Sequence, residues 1–314
     1  MLDIYRTDDS VIHETSEYEP GCWIKLTAPS ADECEQVADD YNMDITDVRA
    51  ALDEEESSRI SVEDDYTLIL IDIPTAEERN NRHTYTTIPL GILLRDDVII
   101  TVCNEETSVL RSFIDHRVKE FSTKKQMRFT YQILYNSSMV YQSLLRTIDR
   151  QRTEIEERIN EKNTEDSDLI DLHELESNLV YFATSLRANN LVVERLTRYS
   201  RIRHYDDDEE ILEDVIVETK QAIEMTSIYR DIINGTRDLM STLINNRLNN
   251  AMKYLAAITI VLSVPTIIGG LWGMNVDARW MPLSHTPFGF AILCVATLII
   301  SVLTAIVLHK RKML

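Results

Sequence analysis

Four small or hydroxyl-bearing residues recur on one face of a long apolar segment near the end of the chain. Thr259, Ser263, Thr266 and Gly270 are separated by four, three and four residues, the spacing of a single helix face. The same face continues towards the N-terminus through Leu255, Met252, Asn249, Asn245 and Asp238. In a bilayer a polar face must contact protein or water. The pattern therefore predicts either helix packing, which small residues favour, or the lining of an aqueous pore.

The length of the polar face favours the pore. Close packing between helices accounts for Ser263 and Gly270, but it does not explain why the same face continues into Asn249, Asn245 and Asp238. A single helix cannot enclose a pore. This interpretation therefore requires several copies of the chain.

Two segments have the length and composition of membrane spans. Residues 254–276 and 286–308 are each uncharged over 23 residues, and about 20 apolar residues cross the hydrocarbon core. Arg247 and Lys253 precede the first segment, and Lys310, Arg311 and Lys312 follow the second. This distribution of basic residues predicts a multi-pass protein of the cell membrane with both termini in the cytoplasm. The alternative is a pair of buried core helices.

Composition restricts the partners. The 314 residues include 53 Asp and Glu against 32 Lys and Arg, which gives a net charge of −21. This charge argues against nucleic acid as a partner and favours cations. The four cysteines form no CxxC pair, so neither a disulfide framework nor a zinc site is expected. No GxGxxG, GxxxxGK[ST], HExxH or GxSxG motif is present, and we expect no enzymatic activity.

Residues 1–123 indicate a mixed α/β domain. Strands are predicted at 23–26, 66–73, 86–94 and 98–102, with Pro74 ending the second and a tight turn at 95–97. Ser30 and Glu33 form a capping box that begins a helix.

The rest of the chain is predicted to be helical. An antiparallel helical pair spans 124–206, with a polar break at 163–167. A stalk helix that begins in the acidic run 205–210 forms, with the first span, a domain over 207–275. An external loop at 276–285, the second span at 286–308 and a basic cytoplasmic tail at 309–314 complete the chain. Such a long helix needs partners, so we expect a bundle or an oligomer.

The end of the first span carries a recognisable motif. The sequence Leu271-Trp272-Gly273-Met274-Asn275 places a Gly-Met-Asn triplet just before a short loop between two terminal spans. With the acidic α/β domain and the long helix before it, the whole chain resembles the CorA family of divalent-cation channels. The resemblance implies an α+β cytoplasmic funnel domain, a long stalk helix and two C-terminal transmembrane helices, assembled as a homopentamer in the lipid bilayer.

The resemblance also implies roles for individual residues. Gly273, Met274 and Asn275 match the selectivity filter, which holds magnesium with much of its water. Leu255 and Met252 match a hydrophobic constriction, and Asp238 matches an acidic position near the cytoplasmic mouth. Asp64 and Asp65, facing Asp214 of the next subunit, match a regulatory magnesium site that closes the channel.

The chain departs from the family pattern at three places. Trp272 stands where Tyr is usual, Ser263 where the family has a methionine, and no acidic residue follows Met281-Pro282 in the loop. These departures leave the transported ion open. Magnesium is our prediction, with zinc, cobalt or nickel transport as the alternative within the family. A non-conducting membrane-anchored scaffold is the alternative from another class of protein.

Overall fold

The computed structural model describes residues 1–8, 11–79, 82–95, 98–160, 166–198, 206–277, 279, 281–284 and 286–311. The chain divides into two compact units, Met1–Arg237 and Asp238–Leu314. Parts of several predictions lie outside the described residues: positions 96–97 of the turn, 161–165 and 199–205 of the helical pair with its polar break, 205 at the start of the stalk, 278, 280 and 285 of the external loop, and 312–314 of the basic tail.

The first unit contains, within the described residues, a sheet of seven strands. These are β1 (Leu2–Asp8), β2 (Val11–Thr15), β3 (Trp23–Thr27), β4 (Arg59–Val62), β5 (Thr67–Arg79), β6 (Arg82–Arg95) and β7 (Val98–Cys103). Their order across the sheet is β2-β1-β3-β7-β6-β5-β4. The pair β3 and β7 is parallel, and the other neighbours are antiparallel.

Both faces of this sheet are covered. The α-helices that lie wholly within the first unit are, among the described residues, α1 (Ala31–Asp40), α2 (Ile45–Arg49), α3 (Ser108–Ile114), α4 (Gln126–Asn160) and α5 (Asp166–Leu196). Because side chains alternate along a strand, Ile69 and Ile71 of β5 join a core with Phe113 of α3 and Phe129 of α4. Leu70, between them, joins a second core with residues of α1 and α2. The predicted mixed α/β character is confirmed.

The N-terminal cap of α1 is formed as predicted. The Ser30 hydroxyl accepts a hydrogen bond from the Glu33 backbone N–H at 3.2 Å, and the Glu33 carboxylate accepts one from the Ser30 N–H at 2.8 Å. This reciprocal pair satisfies two N–H groups that the first turn of a helix leaves free.

The prediction that Pro74 ends a strand is wrong, because β5 continues through it to Arg79. Beyond Leu70, β5 has no paired neighbour on the β4 side among the residues that the structure describes. The N–H and C=O of Asp72 point to that free edge, where the Asn189 amide of α5 bonds both, at 2.9 and 2.6 Å. Pro74, two residues on, points the same way, so its missing N–H costs the ladder to β6 nothing.

Two further helices complete the chain. Helix α6 (Asp206–Trp272) runs without interruption through Pro265, and α7 is Gly289–Lys310. The predicted long helix is thus confirmed. Both helices contain apolar windows of membrane-spanning length, with mean hydropathy of 2.0 and 2.9. The domain boundaries proposed from the sequence stay predictions.

Candidate functional site

The hydroxyls of the α6 stripe are all bonded to their own helix. Thr259 donates to the Leu255 carbonyl at 2.9 Å, Ser263 to the Thr259 carbonyl at 2.7 Å, and Thr266 to the Leu262 carbonyl at 2.9 Å. Each hydroxyl has one proton and two lone pairs. Because the proton is used within the helix, the oxygen presents only acceptor capacity to its surroundings. Such a face suits the protons of a cation's water shell better than an anion.

The stripe does not face α7. Between the two helices lies a groove of about 530 Å³. Its lining comprises Pro265, Ile268, Gly269 and Trp272 of α6, Gly273 directly after α6, and residues of α7 that include Cys294, Thr297 and Ser301. At about 100° per residue, the centre of the stripe lies roughly 120° around α6 from these groove residues. Apart from the backbone of its own helix, a Cβ at Gly270 would meet no atom of the described residues within 4 Å, so contacts among these residues do not explain this glycine.

The continuation of the stripe towards the N-terminus of α6 is also uncovered by the described residues of the chain. Met252 is 56% exposed and Leu255 is 66% exposed. Asn249, Asn245 and Asp238 are exposed on the same helix. The structure therefore places all nine predicted pore-lining residues on α6, where a lone chain leaves eight exposed and Ser263 half-buried.

The Gly-Met-Asn triplet begins where α6 ends. The N–H groups of Gly273 and Met274 still bond to helix carbonyls, at 2.9 Å to Gly269 and 3.4 Å to Leu271. All three residues of the triplet are exposed. Among the described residues, the Asn275 side chain has no hydrogen-bond partner. Its amide oxygen is therefore free to accept a hydrogen bond from a ligand.

Asp64 and Asp65 occupy the turn between β4 and β5 and are exposed. The turn is anchored by Tyr66, which is 8% exposed. Its hydroxyl donates to the Asp47 carboxylate at 2.6 Å and accepts from the Asp44 N–H at 3.3 Å. Burial, and next the bond to Asp47, raise the pKa of Tyr66 to about 12. The hydrogen-bonded Tyr66 thus holds in place a turn on which the carboxylates of Asp64 and Asp65 are exposed to solvent.

Asp214 is exposed on α6 and lines a cavity of about 420 Å³ with Glu210, Arg128 and Gln132. No group of three or more His, Cys, Asp or Glu residues gathers as a metal site in the part of one chain that the structure describes. The predicted regulatory site needs Asp214 of a neighbouring copy, so it stays a prediction.

Reasoning from the sequence missed one feature of α7. Thr297, Ser301 and Thr304 have the same spacing as three stripe residues of α6, and each bonds to a carbonyl four residues earlier at 2.8–2.9 Å. The spacing was visible in the sequence. It shows that the pattern by itself does not distinguish a pore from packing.

The comparisons with known proteins agree on one family. The family model described as CorA-like Mg²⁺ transporter protein matches residues 19–311, so β1 and β2 precede the matched region. The cobalt/magnesium transport protein CorA of Methanocaldococcus jannaschii is 26% identical over 295 residues, which cover 92% of this chain and 90% of that protein. The magnesium transport protein CorA of Campylobacter jejuni is 22% identical over 303 residues, with coverage of 92% and 90%.

A solved structure agrees with the fold. The complete structure of the CorA magnesium transporter from Methanocaldococcus jannaschii matches with a TM-score of 0.83 at 24% identity, covering 98% of this chain and 96% of that one. The fold class predicted from the sequence is therefore confirmed: an α+β domain, a long helix and two C-terminal apolar helices.

Proposed function

Because the chain belongs to the CorA-like Mg²⁺ transporter family, we propose that it is a channel for hydrated magnesium, driven inwards by the membrane potential. The family consists of transporters, in agreement with the predicted lack of enzymatic activity. In this proposal several copies of α6, by resemblance five, surround an aqueous path in the cell membrane. The protein spans the bilayer twice, and both termini lie in the cytoplasm.

The outward stripe of α6 is the observation that carries the proposal. Its hydroxyl oxygens are acceptors whose protons already bond to the helix. Polar atoms on a membrane helix need protein or water beside them, and α7 of the same chain does not cover them. A ring of copies would face these oxygens towards a common watery path.

The chemistry of the path suits a hydrated dication. Magnesium loses its water reluctantly. The Asn275 amide oxygen and the Gly273 carbonyl can accept hydrogen bonds from that water without displacing it. A neutral filter also releases the ion readily, as conduction requires. Thr259, Ser263, Thr266 and Gly270 line the path further along.

Closure has two parts in this proposal. Rings of Met252 and Leu255 block the path by excluding water when the copies approach each other. Magnesium inside the cell binds between Asp64 and Asp65 of one copy and Asp214 of the next. Unoccupied carboxylates repel each other, so an ion that binds only the closed arrangement shifts the population towards it.

The regulatory assignment is tested by Asp65→Asn combined with Asp214→Asn. Because the bridging charges are lost, inhibition of uptake by internal magnesium should require at least about tenfold more magnesium. The measurement is uptake against internal magnesium concentration. An unchanged inhibition curve would remove these residues from the site.

The transport function is tested in proteoliposomes that hold a magnesium-sensitive dye. We expect magnesium uptake that rises with an inside-negative potential. Asn275→Ala should lower it at least about tenfold, because each copy loses an acceptor for the water of the ion. Asn104→Ala, at an exposed position after β7, is the matched control.

The outcomes separate the alternatives. Faster uptake of zinc, cobalt or nickel than of magnesium would assign the protein to another ion within the family. A scaffold would be identified if the protein and its Asn275→Ala variant both assemble and neither takes up any of the four ions.

A further inference from the structure

Trp272, the last residue of α6, contacts both of the segments that follow it. Its indole Nε1–H donates to the Pro282 carbonyl at 3.2 Å. Its ring lies 5.8 Å from the ring of Phe290, centroid to centroid, with an angle of 46° between the planes. One side chain therefore joins the end of α6, the loop and the first turn of α7.

The described residues of the loop next to α7 form hydrogen-bonded turns. Ser284 donates from its N–H and its hydroxyl to the Met281 carbonyl, at 3.4 and 3.0 Å. Thr286 bonds in the same two ways to the Leu283 carbonyl, at 3.2 and 2.8 Å. Gly289 is buried, and a Cβ there would collide with that carbonyl. Trp272 is thus bonded to a residue of a hydrogen-bonded turn.

The Gly-Met-Asn triplet follows Trp272 directly. Gly273 and Met274 still bond to α6, whereas the Asn275 side chain bonds to nothing among the described residues. Its position therefore depends on the backbone on either side. A ring of amide oxygens can share one hydrated ion only when each copy holds its oxygen within about 0.5 Å of the productive place.

We propose that Trp272 is a positioning residue for the filter, which it holds by clamping the end of α6 to the folded loop through Pro282 and Phe290. The inference rests on the proposed transport function. An indole N–H can only donate a hydrogen bond, so its partner at this position must be an acceptor such as the Pro282 carbonyl. The amphipathic ring also suits the boundary between bilayer and water.

The test uses graded variants of the clamp in proteoliposomes. Trp272→Phe keeps a ring and removes the N–H, Phe290→Leu keeps the N–H and removes the ring contact, and Trp272→Leu removes both. Phe288→Leu is the control, because Phe288 is 83% exposed at the same end of α7. The readouts are the KM and maximal rate of magnesium uptake, and inhibition by hexaamminecobalt(III), a cation whose N–H-bearing shell cannot exchange.

Trp272→Phe should raise the magnesium KM and the inhibitory hexaamminecobalt concentration together, by roughly fivefold, the effect of one ordinary hydrogen bond. Trp272→Leu should raise both further, and Phe288→Leu neither. The maximal rate should change less than KM, since a looser ring binds the ion less well but still releases it.

Three results would overturn the inference or its premise. Unchanged KM and inhibition in Trp272→Phe and Trp272→Leu, with normal wild-type uptake, would overturn the clamp alone. Loss of assembly in both Trp272→Phe and Phe290→Leu would assign these contacts to stability instead of filter geometry. Absence of magnesium uptake by the wild-type protein would overturn the proposed function.

Discussion

The membrane part of α6 and helix α7 carry the same polar pattern and use it differently. Each has three hydroxyl residues at spacings of four and three, and each hydroxyl bonds to the carbonyl four residues earlier. In α7, Thr297 and Ser301 line the groove shared with α6. In α6, Thr259 and Thr266 point away from that groove and are exposed.

This difference separates two interpretations that sequence spacing leaves open. Small hydroxyl residues directed at a neighbouring helix are what packing requires, and α7 fits that description. A matching stripe directed away from the neighbouring span has no such role within one chain, so it requires another copy or water. The direction of a polar face is therefore more informative than its composition.

The largest expected effect comes from placing a charge on each stripe. Ser263→Lys should lower magnesium uptake roughly a hundredfold while assembly persists, because each copy adds a positive charge beside a dication in a watery path. Ser301→Lys should instead prevent assembly, because the charge would enter an apolar groove. Size-exclusion chromatography and uptake on the same samples separate the two. Equal behaviour of the variants would contradict the assigned directions.

The constriction gives the next effect. Met252→Ser combined with Leu255→Ser should raise uptake at inhibitory internal magnesium on the order of tenfold, because a polar ring no longer excludes water. Leu303→Ser is the control, because Leu303 is 55% exposed on α7. It should leave uptake at inhibitory internal magnesium as low as in the wild type. Closure that survives in the double variant would place the gate elsewhere on α6.

Alanine substitutions at two glycines test the same difference between α6 and α7 by adding one methyl group. Gly289→Ala brings a Cβ onto the Leu283 carbonyl and should destabilise the protein by about 1–3 kcal/mol, as overpacking commonly does. The added Cβ of Gly270→Ala meets no atom of the described residues outside the backbone of its own helix, so this variant should leave the unfolding temperature unchanged and lower uptake a few-fold by narrowing the path. Thermal unfolding in detergent and uptake in liposomes measure these effects. A lower unfolding temperature for Gly270→Ala with normal uptake would favour packing.

The smallest effect should lie outside the membrane, at Asp72. Burial raises the pKa of this carboxyl, against the opposing effect of hydrogen bonds from Ser185 and Ser58. The folded state therefore holds the proton more tightly than the unfolded state. The protonated Asp72 carboxyl contributes its full stabilisation below the pKa of about 3.9 that it has in the unfolded state. This contribution is lost as pH rises through the raised pKa of the folded state.

Asp72→Asn should remove this dependence, so the variant should lose less stability than the wild type when pH rises from about 4 to 7. Thermal unfolding at several pH values tests this expectation, with the exposed Glu54→Gln as control. Uptake should not change. A parallel pH dependence in both proteins would show that Asp72 does not titrate in this range.

The sequence predicted the features that local chemistry determines. The capping box at Ser30, the uninterrupted helix through Pro265 and the two apolar spans all depend on residues close together in the chain. It did not predict β1, whose Tyr5 packs 5.1 Å from Trp23 of β3, because that strand is stabilised by a distant partner. The prediction for Pro74 was wrong for the same reason, because the absence of a paired strand beside this part of β5 depends on tertiary structure.

For the candidate site, the sequence identified the stripe and the triplet but not their surroundings. The spacing of Thr259 and Ser263 predicted a shared face, and the structure added the direction of that face. The contact between Trp272 and Pro282 joins residues on either side of a loop, and no local pattern marks it. The pairing of Asp65 with Asp214 involves two copies, so it stays a prediction.

The amide of Asn189 has a consequence for how these chains tolerate crowding. An unpaired strand edge has free backbone N–H and C=O groups, with which a strand of another molecule can pair and begin aggregation. At Asp72 both backbone groups that an intruding strand would need are already engaged by a side chain from α5. Pro74, which has no N–H to offer, extends that protection along the edge. At this position the sheet therefore offers an added strand no free backbone partner.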